Sequence, residues 1–299
     1  MIRIYNTLAK QFEILPSDQQ HIKMYICGVT VYDESHIGHA RTYVAFDVIR
    51  RYLMRKGYKV TFVQNFTDVD DKIINRAKEL KIPPGELAEK YIAKYFADFD
   101  RLNVLRADFY PRATEHIDEM LHIISSLLEK DFAYITSTGI YYDVSKFKDY
   151  GKLSHTTISE LRAGARVEID ETKEDPLDFA LWKFANDEPS WGSPWGRGRP
   201  GWHLECSAMS MKYLGESFDI HGGGQDLIFP HHENEIAQSE VLINKQFVKI
   251  WLHTGFLTIK QEKMSKSLGN IIPLHEALNK YSANILRLFY ISSHYRSQI

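Results

Sequence analysis

The chain has 299 residues, of which 44% are hydrophobic and 13% aromatic, and its formal net charge at pH 7 is -2. This composition is ordinary for a globular protein, and the length allows two domains or one domain that carries an insertion. No apolar stretch approaches the roughly 20 residues that a membrane-spanning helix needs, and residues 1–10 lack the apolar core of a signal peptide. We therefore expect a cytoplasmic protein, in which any contact with nucleic acid depends on a local basic patch rather than on net charge.

The first elements predict a βαβ unit. A buried strand, a loop, a helix with a broad apolar face and a second strand follow one another over residues 22–26, 29–39, 43–53 and 59–64. Strands joined in this order lie parallel, and parallel sheets bind ligands at the carboxyl ends of their strands. Cys27, which follows the first strand, and two histidines in the loop fall at such an end.

The rest of the chain contains further helical and strand-like stretches. A helical pattern, a β-hairpin, two more strand regions and a helical end are predicted over residues 70–131, 134–143, 218–221, 251–259 and from 273 onward. We predict an α/β fold made of a first half of a nucleotide-binding domain, an insertion, a second half and a helical end. The predicted boundaries are 1–106, 107–195, 196–272 and 273–299.

Two short motifs far apart in the chain indicate the chemistry. His36-Ile-Gly-His39 follows the first strand, and Lys263-Met-Ser-Lys-Ser267 lies in a loop. The glycine between the histidines removes the Cβ that would block a phosphate, and two lysines supply point charges for the β- and γ-phosphates. Together the motifs indicate a site that binds a nucleoside triphosphate and stabilises phosphate charge during adenylyl transfer. Taken singly, each also fits chance spacing or solvated charges.

The two cysteines are candidates for a metal site. Cys27 ends the first strand, and Cys206 lies in Gly201-Trp-His-Leu-Glu-Cys-Ser207. With His231 and Glu235 they make a plausible tetrahedral zinc set of two thiolates, one imidazole and one carboxylate. The alternative is a pair of buried free cysteines, because a free cysteine is often a small core residue and the chain has no CxxC pair.

The choice of His231 depends on helix geometry. Pro230 suits the first turn of a helix, so that His231 and Glu235 share one face at i, i+4. The same step from His232 reaches Ile236, which cannot ligate a metal. We therefore predict His231, rather than His232, as the ligand.

A glycine run predicts a further contact with the nucleotide. In His221-Gly-Gly-Gly-Gln-Asp226, which follows a predicted strand, Gly223 and Gly224 allow backbone N–H groups to approach a ligand. Asp226 suits a ribose hydroxyl. The alternative is a flexible turn capped by Asp226.

Seven segments span nearly the whole chain in one order. They are Cys27-Gly-Val-Thr-Val-Tyr-Asp33, His36-Ile-Gly-His39, Asn65-Phe-Thr-Asp-Val-Asp-Asp-Lys72, Gly201-Trp-His-Leu-Glu-Cys-Ser207, His221-Gly-Gly-Gly, Phe229-Pro-His-His-Glu-Asn-Glu235 and Lys263-Met-Ser-Lys-Ser267. Through this set the sequence resembles the cysteinyl-tRNA synthetases, a family of class I aminoacyl-tRNA synthetases. The first and last signatures alone indicate only class I, whereas the full set is specific.

The resemblance implies a Rossmann-type class I catalytic domain with a parallel sheet, split by a connective insertion and followed by C-terminal helices. It implies that zinc recognises the sulfur of the substrate cysteine and is held by Cys27, Cys206, His231 and Glu235. Zinc binds thiolate strongly, whereas the hydroxyl of serine stays protonated, so that no editing site is required.

The resemblance also places Thr67 and Trp202 beside the amino acid. From the residues alone, Trp202 fits either core packing or the lid of a pocket.

The implied reaction begins with attack of the cysteine carboxylate on the α-phosphorus of ATP. His36 and His39 are expected to stabilise charge at the α-phosphate, and Lys263 and Lys266 to hold the leaving pyrophosphate. Positioning and electrostatics then supply most of the rate. Mg²⁺ is expected to accompany ATP and to be bound largely through the phosphates. The expected ATP contacts are Gly38, His39, Gly223, Gly224, Asp226 and Lys266.

In the second step the cysteinyl group passes to tRNA(Cys). Family members continue into a helical region that contacts the anticodon. Without that region, we expect this chain to activate cysteine but to charge tRNA poorly. The expected partners are L-cysteine, ATP and tRNA(Cys), with no membrane and with the chain as a monomer.

Three other functions fit parts of the pattern. A ligase that passes the same adenylate to a small-molecule amine would share every motif. A zinc- and nucleotide-binding module without turnover would not need the two histidines and the two lysines together. A nucleotidyltransferase with a two-histidine loop would need neither the zinc set nor the lysine loop.

Overall fold

The computed structural model describes residues 2–15, 20–164, 172–259, 262–264 and 269–299. The chain divides into two compact units. The first unit comprises Met1–Tyr110, Asp219–Asp226 and Ile250–Ile299, and the second unit comprises Pro111–Phe218 and Leu227–Lys249. The predicted domain boundaries, including the connective insertion over 107–195, stay predictions. The two compact units group residues that lie close together in space, and such a grouping does not test where functional domains begin and end.

Strands and short hairpins occur along the whole chain. They are β1 (Ile2–Asn6), β2 (Gln11–Leu15), β3 (His21–Thr30), β4 (Lys59–Thr67), β5 (Ala133–Ile135), β6 (Gly139–Tyr142), β7 (Phe179–Phe184), β8 (Gly198–Pro200), β9 (Phe218–Gly224), β10 (Val248–Thr254), β11 (Thr258–Ile259) and β12 (Glu262–Lys263).

The helices lie between these strands and at the end of the chain. They are α1 (Ile37–Arg55), α2 (Asp71–Leu80), α3 (Pro84–Arg101), α4 (Ile117–Glu129), α5 (Ile158–Gly164), α6 (Trp202–Leu214), α7 (Glu233–Ile243), α8 (Leu274–Lys280) and α9 (Ala283–Ile291). Short helical turns cover Ala113–Glu115, Val144–Lys146, Gln225–Leu227 and Ile228–His232. Within the described residues, no helix has the length and apolar character that a membrane span requires.

A four-stranded sheet in the order β10-β9-β3-β4 forms the centre of the first unit. β3 runs parallel to two neighbours, because Met24 lies opposite Phe62 on β4 and opposite Ile220 on β9. The predicted βαβ unit is therefore confirmed. Its parts are longer than predicted, since β3 extends to Thr30 and α1 begins at Ile37.

Apolar side chains explain why β3 and α1 form. β3 is buried on both faces, as expected for a strand between two parallel neighbours. α1 buries Val44 and Phe46 in the same core. Tyr43 of α1 packs edge-to-face on Tyr95 and Phe99 of α3. Each such aromatic pair stabilises the fold by about 0.5–1.5 kcal/mol beyond the area it buries.

β3 is irregular near its carboxyl end. Its register with β4 shifts between Ile26 and Val29. Gly28 lies at this shift, and a Cβ placed there would be 1.5 Å from the carbonyl oxygen of Asn65, so that only glycine fits. The backbone N–H of Gly28 also donates to Oδ1 of Asn65 at 2.8 Å. These contacts fix the path of the backbone beside Cys27, within the last residues that β3 contributes before Thr30.

An antiparallel sheet in the order β5-β6-β7-β8 belongs to the second unit. The hairpin predicted over 134–143 is confirmed as β5 and β6. Tyr142 of β6 stacks on Phe179 of β7, with ring centroids 4.9 Å apart, and its hydroxyl donates to the carbonyl of Ala237 in α7 at 3.0 Å. The sheet and α7 therefore pack against each other.

Two details near the glycine run correct the sequence prediction. β9 continues to Gly224, so the glycines form the end of a strand rather than a turn after it.

α7 begins at Glu233, and Pro230 precedes it in a wide helical turn rather than lying in its first α-helical turn. The cause is Phe229, which is extended (φ -136°, ψ 133°), because a residue before proline disfavours the helical region.

Candidate active site

The histidine motif forms the N-terminus of α1. His36 is the N-cap, and its Nδ1 accepts hydrogen bonds from the backbone N–H groups of Gly38 (3.1 Å) and His39 (3.3 Å). In return, Nδ1 of His39 accepts a hydrogen bond from the backbone N–H of His36 at 3.3 Å. This reciprocal arrangement is a capping box, which satisfies N–H groups that the start of a helix leaves without partners.

The cap also fixes the tautomer of both imidazole rings. A ring nitrogen that accepts a hydrogen bond carries no proton, so the proton of each neutral ring lies on Nε2. Burial, and then repulsion from His36, holds the pKa of His39 well below its usual value. His39 is therefore neutral at pH 7. It presents an Nε2–H donor rather than an imidazolium charge, and such a donor suits a phosphate oxygen.

Gly38 has a structural role that the sequence did not indicate. A Cβ at this position would lie 2.8 Å from Cε of Met264 and 2.9 Å from the ring of His36. Because the cap holds that ring, a larger residue at Gly38 would disturb the cap. Side chains of this chain therefore fill the space beside Gly38, and its contact with ATP stays a prediction.

The lysine motif begins in a short hairpin of the first unit. β11 and β12 pair antiparallel, with Thr258 opposite Lys263. Lys266 and the side chain of Lys263 lie outside the described part of the chain, so their roles toward pyrophosphate stay predictions.

Residues within and after the lysine motif contact the histidine motif or Ser35, which precedes it. Met264 approaches its glycine, as described above. Beyond the lysine motif, the N–H of Ile37 donates to the carbonyl of Ile272 at 3.1 Å, and the N–H of Leu274 donates to the carbonyl of Ser35 at 2.8 Å. Two segments that are far apart in sequence thus lie together in the first unit.

The glycine run ends β9 in the same unit. Gly223 is buried, and its carbonyl accepts a hydrogen bond from the hydroxyl of Thr254 at 3.4 Å. Asp226 is exposed in the turn Gln225–Leu227, and a Cβ on Gly224 would lie 2.4 Å from its Oδ1. The contacts of these residues with ATP stay predictions.

Thr67 is the last residue of β4, and Cys27 lies in β3 at the register shift, three residues before the carboxyl end of that strand. Thr67 is buried, and Nδ2 of Asn65 approaches its hydroxyl at 3.5 Å. Cys27 is also buried, and its carbonyl accepts a hydrogen bond from the hydroxyl of Tyr43 at 3.1 Å. Both residues are thus held near the sheet edge where ligands of parallel sheets bind.

The second unit contains a buried cluster of possible metal ligands. Cys206 belongs to α6, His231 precedes α7 and Glu235 lies in the first turn of α7. Their ligand atoms lie within 4.8 Å of one another, and Nε2 of His231 is 3.0 Å from Oε1 of Glu235. All three residues are buried. The structure thus brings three of the predicted ligands together in one unit, and Cys27 stays a prediction as the fourth.

The cluster favours positive charge. Burial lowers the pKa of His231, but the adjacent Glu235 and Cys206 outweigh burial and raise this pKa to about 10. A divalent cation bound there would supply the charge in place of the proton. Thiolate, imidazole and carboxylate are the donors that zinc takes in proteins, so these residues fit that metal.

His203 was missed in the sequence. Its Nδ1 lies 2.9 Å from Nδ1 of His231. Burial, and then the neighbouring His231, holds the pKa of His203 well below its usual value, so the neutral ring accepts a hydrogen bond from His231. A metal-bound histidine commonly donates its second N–H in this way. The available signal was that His203 and Cys206 share one face of α6 at i, i+3, which places His203 near the cysteine but does not specify its contact with His231.

His232 also approaches the carboxylate of Glu235. Its Nε2 lies 3.9 Å from Oε1, compared with 3.0 Å for His231. The sequence argument compared only i, i+4 partners, whereas residues at i, i+3 also share a helix face. The exclusion of His232 on spacing alone was therefore too narrow, although His231 is the closer residue.

Trp202 is the first residue of α6 and stacks on His231, with ring centroids 4.3 Å apart. It is 39% exposed, so core packing, one of the two alternatives that the sequence left open, is wrong. Trp202 instead combines a partly exposed ring with stacking on the buried imidazole of His231, and its contact with an amino-acid substrate stays a prediction.

Comparisons with known proteins agree with the resemblance. The family model described as tRNA synthetases class I (C) catalytic domain matches residues 13–299. The proteins named Cysteine--tRNA ligase of Pyrococcus abyssi (strain GE5 / Orsay) and Pyrococcus horikoshii are 59% and 60% identical over 300 residues, which cover 100% of this chain and 63% of each relative. The one of Thermodesulfovibrio yellowstonii is 59% identical over 304 residues, covering 100% of this chain and 62% of the relative. This chain therefore spans less than two thirds of the length of these relatives.

Solved structures share the fold. Mycobacterium tuberculosis methionyl-tRNA synthetase in complex with methionyl-adenylate matches with a TM-score of 0.73 and 17% identity over 93% of this chain and 66% of that chain. A putative arginyl tRNA synthetase from Campylobacter jejuni matches with a TM-score of 0.59 and 12% identity over 93% of this chain and 64% of that chain. Likeness at such low identity concerns the fold alone, and it confirms the predicted α/β architecture with a parallel sheet.

Proposed function

We propose a function from one premise: this chain belongs to the family of class I (C) tRNA synthetase catalytic domains. The proposed function is ATP-dependent activation of L-cysteine to cysteinyl-adenylate, followed by transfer of the cysteinyl group to tRNA(Cys). The names of the curated relatives support it. The observation that carries it is the buried group of Cys206, His231 and Glu235, because these donors suit a metal that binds thiolate.

The metal proposed for this group is zinc, with Cys27 as the fourth ligand. When bound, zinc would coordinate the substrate thiolate and so distinguish cysteine from serine. His203 would hold the imidazole of His231 in one orientation, with Nε2 directed to the metal. Thr67 and Trp202 are proposed to flank the amino acid.

ATP is proposed to bind at the histidine and lysine motifs. The carboxylate of cysteine is already ionised and needs no general base to attack the α-phosphorus. The Nε2–H groups of His36 and His39 would donate to phosphate oxygens as negative charge develops, and the cap has oriented them beforehand. Lys263 and Lys266 would hold the leaving pyrophosphate, and Mg²⁺ would bind through the phosphates. The remaining proposed ATP contacts are Gly38, Gly223, Gly224 and Asp226.

The organisation around this reaction is also a proposal. We propose that residues 1–106 and 196–272 make up the two halves of the catalytic domain and that 107–195 is the connective insertion. We also propose that residues 273–299 begin a helical region near the acceptor stem, and that the chain acts as a cytoplasmic monomer. Charging of tRNA(Cys), compared with transfer to amino-sugar acceptors, would establish which acceptor is used.

Cysteine-dependent ATP–pyrophosphate exchange tests the first step without tRNA. We expect exchange with cysteine and at least about 10³-fold less exchange with serine at equal concentration, because the proposed zinc binds a thiolate and not a protonated hydroxyl. Removal of the metal with a chelator should abolish the preference for cysteine, and added zinc should restore it. A metal-free chain that still prefers cysteine would contradict the proposal.

A further inference from the structure

Arg41 holds the backbone of the last residues of α9 and of the residues that follow it. It lies on α1 and is buried at 1% exposure. At 2.5–3.3 Å its guanidinium donates to the main-chain carbonyls of Tyr290, His294, Tyr295 and Ser297. A buried charge requires hydrogen-bond partners, and here neutral carbonyls accept from Nη1 and Nη2, whereas Nε has no partner among the described residues. Arg41 therefore fixes the shape of residues 290–299, which we call the strap.

The strap is joined to the backbone that leads into the lysine motif. Three backbone hydrogen bonds of 2.8–3.0 Å link Gly255 to Tyr295, Phe256 to Ile299 and Thr258 to Ile299. Thr258 opens β11, and the hairpin partner of β11 carries Lys263. The backbone of this hairpin is thus anchored on the strap.

The described segments before and after the lysine motif are joined to the region of α1 in different ways. After the motif, residues 272–274 bond directly to Ser35 and to Ile37 of the histidine motif. Before the motif, the connection runs from Arg41 through the strap to residues 255–258. Arg41 follows His39 by two positions on the same helix, so both connections start at the N-terminal part of α1.

We propose that Arg41 is a positioning residue for adenylate formation. Through the strap it sets the place of the β11–β12 hairpin, and hence of Lys263, relative to His36 and His39. This role rests on the proposed function, in which Lys263 holds the leaving pyrophosphate. The expected effect of losing the strap falls on ATP and pyrophosphate and spares cysteine, because the cysteine ligands are proposed elsewhere.

Substitutions at two positions test the strap: Arg41, which donates hydrogen bonds to it, and Gly255, whose backbone packs against it. Arg41→Met removes the donors and keeps most of the volume, and Arg41→Lys keeps the charge but concentrates its donors on one atom. Gly255→Ala leaves Arg41 in place, but its Cβ would lie 2.4 Å from the carbonyl oxygen of Ser297, so the strap must move. Gly85→Ala is the matched control, since nothing lies within 4 Å of a Cβ there.

The kinetic test is pyrophosphate exchange with ATP, pyrophosphate and cysteine varied in turn. In Arg41→Met and in Gly255→Ala we expect kcat to fall and KM for ATP to rise by about tenfold each, because small misplacements of charged groups have effects of this size. KM for cysteine and zinc content should match those of Gly85→Ala. The double variant with Arg41→Met and Gly255→Ala should lose no more exchange activity than the less active single variant. The reason is that both substitutions break the same connection.

A purely structural role would give a different result. Loss of folded protein lowers the apparent kcat and leaves every KM unchanged, so that outcome would overturn the proposal. Equal rises in KM for cysteine and for ATP would overturn it too, as would multiplicative losses in the double variant.

Amide hydrogen exchange tests the proposed role of Arg41 in holding the strap independently of the proposed function. The amides of Gly255 and Thr258 donate to strap carbonyls, so both should exchange faster in Arg41→Met and Gly255→Ala than in Gly85→Ala. This measurement needs no activity. An unaltered chain without cysteine-dependent exchange would refute the proposed function alone, whereas unchanged protection of these two amides would refute the strap even in an active enzyme.

Discussion

The imidazole rings of His36 and His39 stack with centroids 3.7 Å apart, and each Nδ1 accepts a hydrogen bond from the backbone N–H of the other residue. One pair of side chains thereby caps α1 and holds two Nε2–H donors in a fixed direction. Mutation can separate these two roles, because a cap needs only an acceptor near the backbone, whereas phosphate binding needs the ring donor.

His36→Asn should preserve the N-cap of α1 but remove the imidazole ring. His36→Ala should lower the free energy of unfolding by about 1 kcal/mol, whereas His36→Asn should retain most of it, because asparagine is a favoured N-cap. Both variants should lose about 10²-fold in kcat for pyrophosphate exchange, since each lacks a preorganised donor. Urea unfolding and exchange assays check the two effects. If His36→Asn recovers activity together with stability, the reaction depends on the cap and not on Nε2–H.

Acid should destabilise the protein through His39. The unfolded chain binds a proton at this residue near the usual pKa of about 6.5, but burial and His36 hold the folded-state pKa well below that value. Below about pH 6.5 the unfolded state binds more protons, so the free energy of unfolding falls as the pH drops, whereas at higher pH this contribution is constant. Urea unfolding across this range should show a weaker pH dependence for His39→Gln. An identical dependence in both proteins would contradict the lowered pKa.

Replacement of Glu235 and of Glu240, both on α7, by glutamine should have different effects on zinc binding. If Glu235 is a zinc ligand, as proposed, Glu235→Gln should weaken zinc binding by at least about 100-fold, because the carboxylate beside the buried imidazole of His231 is lost. It should also reduce the preference for cysteine over serine. Glu240→Gln is the matched control, since Glu240 pairs instead with Lys152. Metal analysis of both purified variants provides the measurement, and equal zinc content would argue against Glu235 as a ligand.

The irregular end of β3 should not tolerate a side chain. Gly28→Ala places a Cβ 1.5 Å from the carbonyl oxygen of Asn65, and neither paired strand can move away cheaply. We expect a loss of about 3 kcal/mol or more in the free energy of unfolding, as for severe overpacking. Gly192→Ala, where a Cβ meets nothing within 4 Å, should remain within about 0.5 kcal/mol of the unaltered chain. Near-equal urea midpoints for the two variants would show that β3 takes another path.

The sequence predicted the βαβ unit because strands and helices follow from local apolar patterns. The same patterns located the hairpin of β5 and β6 and the helices after Pro273. They did not reveal the irregularity at Gly28, since it depends on Asn65 in a neighbouring strand. The continuation of β9 through the glycine run was also missed, because glycine by itself signals a turn more strongly than a strand.

At the candidate site the sequence predicted which residues lie together, but it did not predict the neighbouring side chains that contact them. Cys206, His231 and Glu235 do lie together, but the ring nitrogen of His203 that faces His231 was not foreseen. Side-chain orientation across a helix junction decides that contact, and spacing alone does not specify it. The approach of Met264 to the histidine motif was equally hidden, because it joins segments from opposite ends of the chain.

The order of β3 in the sheet has a consequence for biosynthesis. Of the two neighbours of β3, β4 follows it closely in the chain, but β9 is translated about 200 residues later, which takes roughly 10–40 s at ordinary rates. During that interval one edge of an apolar strand has no partner, and such edges promote aggregation. The nascent chain is therefore expected to depend on chaperones until β9 emerges.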